Sequence, residues 1–197
     1  MKKLLTLKHW QLFGLLMGLP MVFQFITIGS VISSNDPTTM FYFLPIMMIL
    51  FIGLFFGWFY ALGTNLHKKL PPTATMNLTR FKMFLLIPVV YMLLISVFLV
   101  CTFANISTGE QPNPAIFGII VPLHLFSMFC IFYCLYFNAK ALKTVEWQKP
   151  VTFSDFAGEF FLIWFFPVGI WIIQPRINKL FDTATNNDYN PLDSNIQ

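Results

Sequence analysis

The sequence predicts an all-α polytopic membrane protein, with four transmembrane helices in two hairpins and a fifth, short, Pro/Gly-interrupted segment that is re-entrant or interfacial. Three observations carry this. Of 197 residues 57% are apolar and 10% charged, against about 25% charged in an average soluble domain, too little polar surface to cover a water-soluble fold of this size. Four runs of more than 20 residues contain no Asp, Glu, Lys or Arg, and in hydrocarbon only a helix or a closed barrel satisfies its own backbone; runs of this length select the helix. The basic residues between the runs fall on alternate connections.

The first run, Trp10 to Ser33, would reach roughly 36 Å as a helix, enough to cross about 30 Å of hydrocarbon with some tilt. It is too long for the apolar region of a cleaved signal peptide. Met40 to Thr64, Met83 to Ala104 and Pro114 to Asn138 complete the set. The N-terminal end holds Lys2, Lys3 and Lys8; the second connection Lys68, Lys69, Arg80 and Lys82; the end of the fourth run Lys140, Lys143 and Lys149. The connections Ser34 to Thr39 and Asn105 to Asn113 carry only Asp36 and Glu110. The positive-inside rule therefore places the N-terminus in the cytoplasm.

The fifth apolar segment, within residues 156–175, is uncharged only over Phe160 to Ile173 and holds Pro167 and Gly169. That length marks a dip or an interfacial helix more often than a crossing. A break at Pro167 and Gly169 with a return to the cytoplasmic side keeps all 12 basic residues on one face. It also brings Glu159 and Arg176 to one interface, whereas a continuous helix separates them by roughly 25 Å. Residues 1–180 thus read as one helical membrane domain, and 181–197, with Asp182, Asp188, Asp193 and no basic residue, as a polar, disordered tail.

Small residues at four-residue spacing let helices approach in lipid. Gly14 and Gly18, and the series Gly53, Gly57 and Ala61, are the expected faces between the first two helices. Every apolar segment also contains a proline: Pro20, Pro45, Pro88, Pro122 and Pro167. Prolines are common in membrane helices and shape bundles, and transporters use such interruptions to expose backbone.

Polar chemistry is scarce. His124 is the one ionisable side chain of acidic or basic type deep in a span, and such groups are functional hypotheses by default. Ser127 and Cys134 share its side of the helix, and Gln24, Tyr91 and Ser96 are its candidate partners. Asp155 and Glu159, four apart, share a helix face that suits a head group or a cation, or else form an acidic helix start capped by Ser154. Cys101, Cys130 and Cys134 do not converge with His124 on a metal, so no metal, cofactor or catalytic set is expected. With no folded soluble domain, nucleic acid is not an expected partner. Anionic lipid head groups on the cytoplasmic side and another membrane protein are.

F-S-D-F-A-G-E-F-F-L-I-W-F-F-P-V-G-I-W-I-I-Q-P-R-I-N at Phe153 to Asn178, with P-L-H-L-F-S-M-F-C-I-F-Y-C-L-Y-F at Pro122 to Phe137, resembles uncharacterised small multispanning proteins of Bacteroidota through most of the chain outside the tail. The resemblance implies a bacterial inner membrane and transfers no activity. The expected function is a non-enzymatic accessory or scaffold subunit of a membrane complex. A small-molecule or ion transporter using His124 and kinked helices is the alternative, and a lipid-modifying enzyme using Asp155 or Glu159 the third.

Overall fold

A computed structural model of the chain describes residues 3–35, 39–107, 109 and 113–187, and all regular structure among them is helical. Four helices are long and apolar enough to cross a bilayer: His9–Ser34, Phe43–His67, Leu78–Ile106 and Phe117–Trp147. The chain is a helical, multi-pass membrane protein. Asp36 and Glu110, used above for orientation, lie outside the described residues, as do residues 188–197 of the tail.

The first span is assembled from α1 (Lys3–Thr6), α2 (His9–Phe13), a π-helical turn at Gly14–Gly18 and α3 (Leu19–Ser34). Proline has no N–H, and its ring crowds the carbonyl four residues back, here that of Leu16. The ladder widens just before Pro20, with the Leu19 N–H donating to the Gly14 carbonyl five residues earlier, the local π geometry that absorbs such a conflict. Asn35, with φ 52° in the left-handed region, ends α3.

Helices α4 (Thr39–His67) and α5 (Leu78–Ser107) follow. Their connection is built rather than loose. The His67 Nε2–H donates to the Met76 carbonyl at 2.9 Å, and Asn77 Oδ1 accepts the Arg80 N–H at 2.9 Å, capping α5. Helix α6 (Phe117–Trp147) has 31 residues, roughly 46 Å. It outruns the hydrocarbon and carries Lys140, Lys143 and Glu146 past the expected end at Asn138.

Helices α7 (Phe153–Trp164) and α8 (Phe166–Asn187) replace the fifth segment. The break falls at Phe165 (φ −86°, ψ 53°), not at Pro167 and Gly169. Pro167 sits in the first turn of α8, where a missing N–H leaves no bond unmade. Gly169 serves close approach instead: a Cβ there would lie 1.6 Å from the Leu162 carbonyl oxygen. The backbone stays satisfied through the turn. The Phe165 N–H donates to Phe161 at 2.8 Å, and the Phe165 carbonyl accepts from Val168 and Gly169 at 3.0 and 2.9 Å. A further correction concerns the tail: α8 continues past residue 180 to Asn187, because Ile177 is buried and Lys69 Nζ donates to the Leu180 carbonyl and lies over the Phe181 ring.

The core lies toward one end of the bundle, the end that holds the 68–77 connection. It joins Leu5, Leu12 and Leu16 to α4 from Ile52 to Leu66, to Phe81 and Leu85, to α6 from Cys134 to Val145, and to Phe156, Ile163, Ile170, Ile173 and Ile177. Aromatic contacts tie the layers, with Phe81 stacked on Phe137 at 4.4 Å and Phe55 against Phe166 at 4.9 Å. At the other end apolar side chains such as Phe25, Ile32, Val97 and Ile119 face outward, as lipid-facing surface does. The expected glycine seam is not formed. A Cβ at Gly14, Gly18, Gly53 or Gly57 would meet nothing within 4 Å, since Leu12, Leu16, Phe55 and Phe56 supply the bulk of the core at this level. Ala61 is fully buried, and the tight glycine is Gly63, whose Cβ would lie 2.5 Å from the Phe81 ring and 2.8 Å from Asn138 Oδ1.

Two alanine substitutions check this packing in detergent. Gly169→Ala forces the α7–α8 turn open and costs about 1–3 kcal/mol of stability, the range for overpacking. Gly53→Ala, in open space, stays within about 0.5 kcal/mol of wild type. Thermal unfolding of the two purified variants separates them.

Candidate functional site

The densest polar arrangement among the described residues joins the ends of α6, α7 and α8. Thr152 precedes α7 in extended backbone and caps it. Its N–H and its hydroxyl each donate to Asp155 Oδ2 at 2.8 Å, so the cap is Thr152 rather than Ser154. These bonds, the backbone one first, hold the Asp155 carboxyl below its ordinary range. Asp155 is thereby engaged in starting a helix.

One turn on, Glu159 faces inward and is 5% exposed. Its Oε1 accepts from Lys143 Nζ at 3.0 Å and from Arg176 Nη2 at 2.6 Å. Arg176 also grips Glu146 with two donors, Nε at 2.7 Å and Nη2 at 2.5 Å, the planar fork that suits a carboxylate. Two acids and two bases from three helices close on one another without net charge. The 2.6 Å contact between Glu159 and Arg176 excludes one continuous helix from α7 into α8. Burial pushes the Glu159 carboxyl up, but the hydrogen bonds from Arg176 and Lys143 outweigh it and leave it below its ordinary value. For Arg176 the hydrogen bond to Glu146 leads in raising an already high pKa against the opposing effect of burial.

Of this cluster, the sequence singled out Glu159 and Arg176 and read Lys143 only as an orienting charge. Glu146 was missed. Its signal was the spacing of Lys143 and Glu146, one helical turn apart on a helix that continues past the hydrocarbon. Gln174 and Asn178, also missed, form a second junction. Gln174, fully buried, directs Nε2 at the carbonyls of Leu5 and Leu7 at 3.1 and 3.0 Å, and Asn178 Nδ2 donates to Leu7 at 3.1 Å. With Trp171 packed on His9 at 4.8 Å, these groups strap the first residues of the chain to α8.

His124 lies apart from both junctions. Its Nδ1 is 3.1 Å from the hydroxyl of Tyr91 on α5, the partner among the three expected that it meets. Ser96 instead donates to its own helix at Leu93, and Gln24 lines a small hollow with Thr27 between α3 and α4. The polar stripe divides. His124 is exposed while Ser127 and Cys134 are buried, so the three do not line one surface. Among the described residues no three His, Cys, Asp or Glu side chains gather as metal ligands would. Comparison of the chain with protein-family models, with curated proteins and with solved structures gave no match.

Glu159→Gln leaves Lys143 and Arg176 facing a neutral amide. Breaking a fully buried pair costs about 3–5 kcal/mol, and the partly exposed Arg176 lowers the expectation to about 2–3 kcal/mol. The pH dependence has a definite sign. A carboxyl held below its ordinary value of about 4.3 contributes stability in full above that value and loses it as pH falls through the depressed one. Melting temperatures measured from pH 7 to pH 3 should therefore fall less steeply in Glu159→Gln than in wild type.

Proposed function

We propose that the chain is a multi-pass protein of a bacterial inner membrane with its N-terminus in the cytoplasm, acting as a non-catalytic accessory or scaffold subunit. The observation that carries this reading is the Lys143, Glu159, Arg176 and Glu146 cluster. Glu159 and Arg176, which the sequence offers for chemistry, are neutralised within it and fasten three helices together, while Asp155 is engaged in starting α7. On this reading α7 and the start of α8 enter the inner leaflet and return, with Trp164, Phe165 and Trp171 exposed at the depth where aromatic rings favour the interface. Lys143 and Lys149 pack over Trp147 at 4.5 and 4.8 Å on that cytoplasmic side, where aromatic and basic residues gather at a membrane interface.

A second reading, a transporter, is favoured by one observation: the hydrogen bond between His124 and Tyr91 in mid-span, two residues from the proline at position 122. An intramembrane histidine with a titratable partner is the type of pair a proton-coupled step uses.

Affinity capture of the full chain from mild detergent distinguishes the two. A stoichiometric co-purifying membrane protein is the expected result, and a solitary chain whose uptake phenotype vanishes in His124→Ala overturns the scaffold reading in favour of transport. Cysteines placed singly after Asn178 should resist an impermeant thiol reagent on intact cells and react after permeabilisation; labelling from outside sinks the return of α8 to the cytoplasmic side.

A further inference from the structure

Two adjoining hollows flank the start of α5. The first, about 540 Å³, is polar and lies under the 68–77 connection, lined by His67, Thr75 and Met76 and by Asn77, Leu78 and Thr79. The second, about 350 Å³, shares Asn77 and Thr79 with it and continues down α5 along Met83, Phe84 and Ile87. The shape is pre-organised, because the His67 bond to Met76 and the Asn77 cap fix the connection.

Arg80 lines the second hollow, next to the Asn77 and Thr79 that the two share. It is exposed, and its guanidinium is not among the groups of the ion-pair cluster on α6, α7 and α8. Lys68, exposed in the same connection, adds to the positive field. Below Arg80 the wall turns apolar, and Met83 is 62% exposed. From Asn77 to Ile87 the axis advances roughly 15 Å, half of a hydrocarbon core of about 30 Å.

A polar mouth with an exposed guanidinium, joined to an apolar groove one leaflet deep, fits a ligand with an anionic head and an aliphatic tail. We propose that this face of α5 binds one anionic phospholipid of the inner leaflet, with its phosphate on Arg80 beside Asn77 and Thr79 and an acyl chain along Met83, Phe84 and Ile87. The inference rests on the cytoplasmic orientation proposed above and not on the scaffold role. A chain captured without a partner leaves it standing, and its own failure leaves the capture result standing.

The test uses the full chain in a zwitterionic detergent, titrated with fluorescent phosphatidylglycerol or with phosphatidylcholine of the same chains. One basic group near a phosphate contributes about fivefold in affinity, so phosphatidylglycerol should bind about fivefold tighter, and Arg80→Gln should remove that preference. Ile87→Trp, which fills the groove, should weaken both lipids. Lys149→Gln, an exposed charge elsewhere on the same side, should change neither, and millimolar inorganic phosphate should not displace the lipid. Unchanged thermal midpoints certify each variant as folded. Equal affinity for the two lipids, an unaffected Arg80→Gln, or an equal loss in Lys149→Gln overturns the site. Displacement by phosphate alone overturns the two-part ligand and leaves a free-anion site.

Discussion

The contact between Glu159 and Arg176 is the constraint on which the end of the bundle formed by α6, α7 and α8 depends. An ion pair removed from water costs desolvation on both sides, and it persists only where geometry and further hydrogen bonds offset that cost. Here the offset comes from α6. Lys143 supplies a second donor to Glu159, and Glu146 takes the other side of the Arg176 fork. The cluster is thus a three-helix junction rather than a pair, and neither α7 nor α8 can rotate without exposing a buried charge. The extension of α6 to Trp147 exists in a polar zone for the same reason: it carries the two residues that complete the junction.

Fixing α8 in turn fixes the start of the chain. The same helix that presents Arg176 to α6 and α7 presents Gln174 and Asn178 to the carbonyls of Leu5 and Leu7. Short helices such as α1 and α2 have little stability alone. They hold their place because an amide from α8 satisfies carbonyls that would otherwise lie unpaired away from water. The α1–α2 segment and α8 meet at the same interface, and the buried core collects there. At the opposite end the helices present apolar side chains outward.

Much of this was legible in the sequence, and the parts that were not share a physical cause. The four spans announce themselves because a bilayer demands long uncharged runs, and the possible approach of Glu159 and Arg176 followed from a segment too short to cross. Positions of contact were harder. Small residues at spacing four are necessary for a close seam but do not create one, and Gly14, Gly18, Gly53 and Gly57 face open space while Gly63, outside that series, is pressed against Phe81. Proline and glycine marked the region of the break in the fifth segment, yet the break falls at Phe165. Pro167 is accepted by the first turn of a new helix, and Gly169 is required by the return of the chain beneath Leu162. Gln174 and Asn178 were unreadable as fasteners because their partners are backbone carbonyls, which every residue supplies.

The turn at Phe165 also explains how a non-helical residue is tolerated among so many apolar ones. Away from water an unpaired carbonyl costs several kcal/mol, so an abrupt break among apolar side chains requires that the chain itself satisfy the freed groups. The Phe161 carbonyl is taken by the Phe165 N–H, and the Phe165 carbonyl by two N–H groups of the next turn. That arrangement needs α8 to begin directly under the last turn of α7, at a separation only a residue without a side chain permits. Gly169 satisfies that steric condition, Phe165 supplies the conformation, and the Glu159 and Arg176 pair holds the two arms closed at the other end. Removing any one of the three leaves the other two geometrically possible but no longer enforced, so the turn and the junction on α6 support one another.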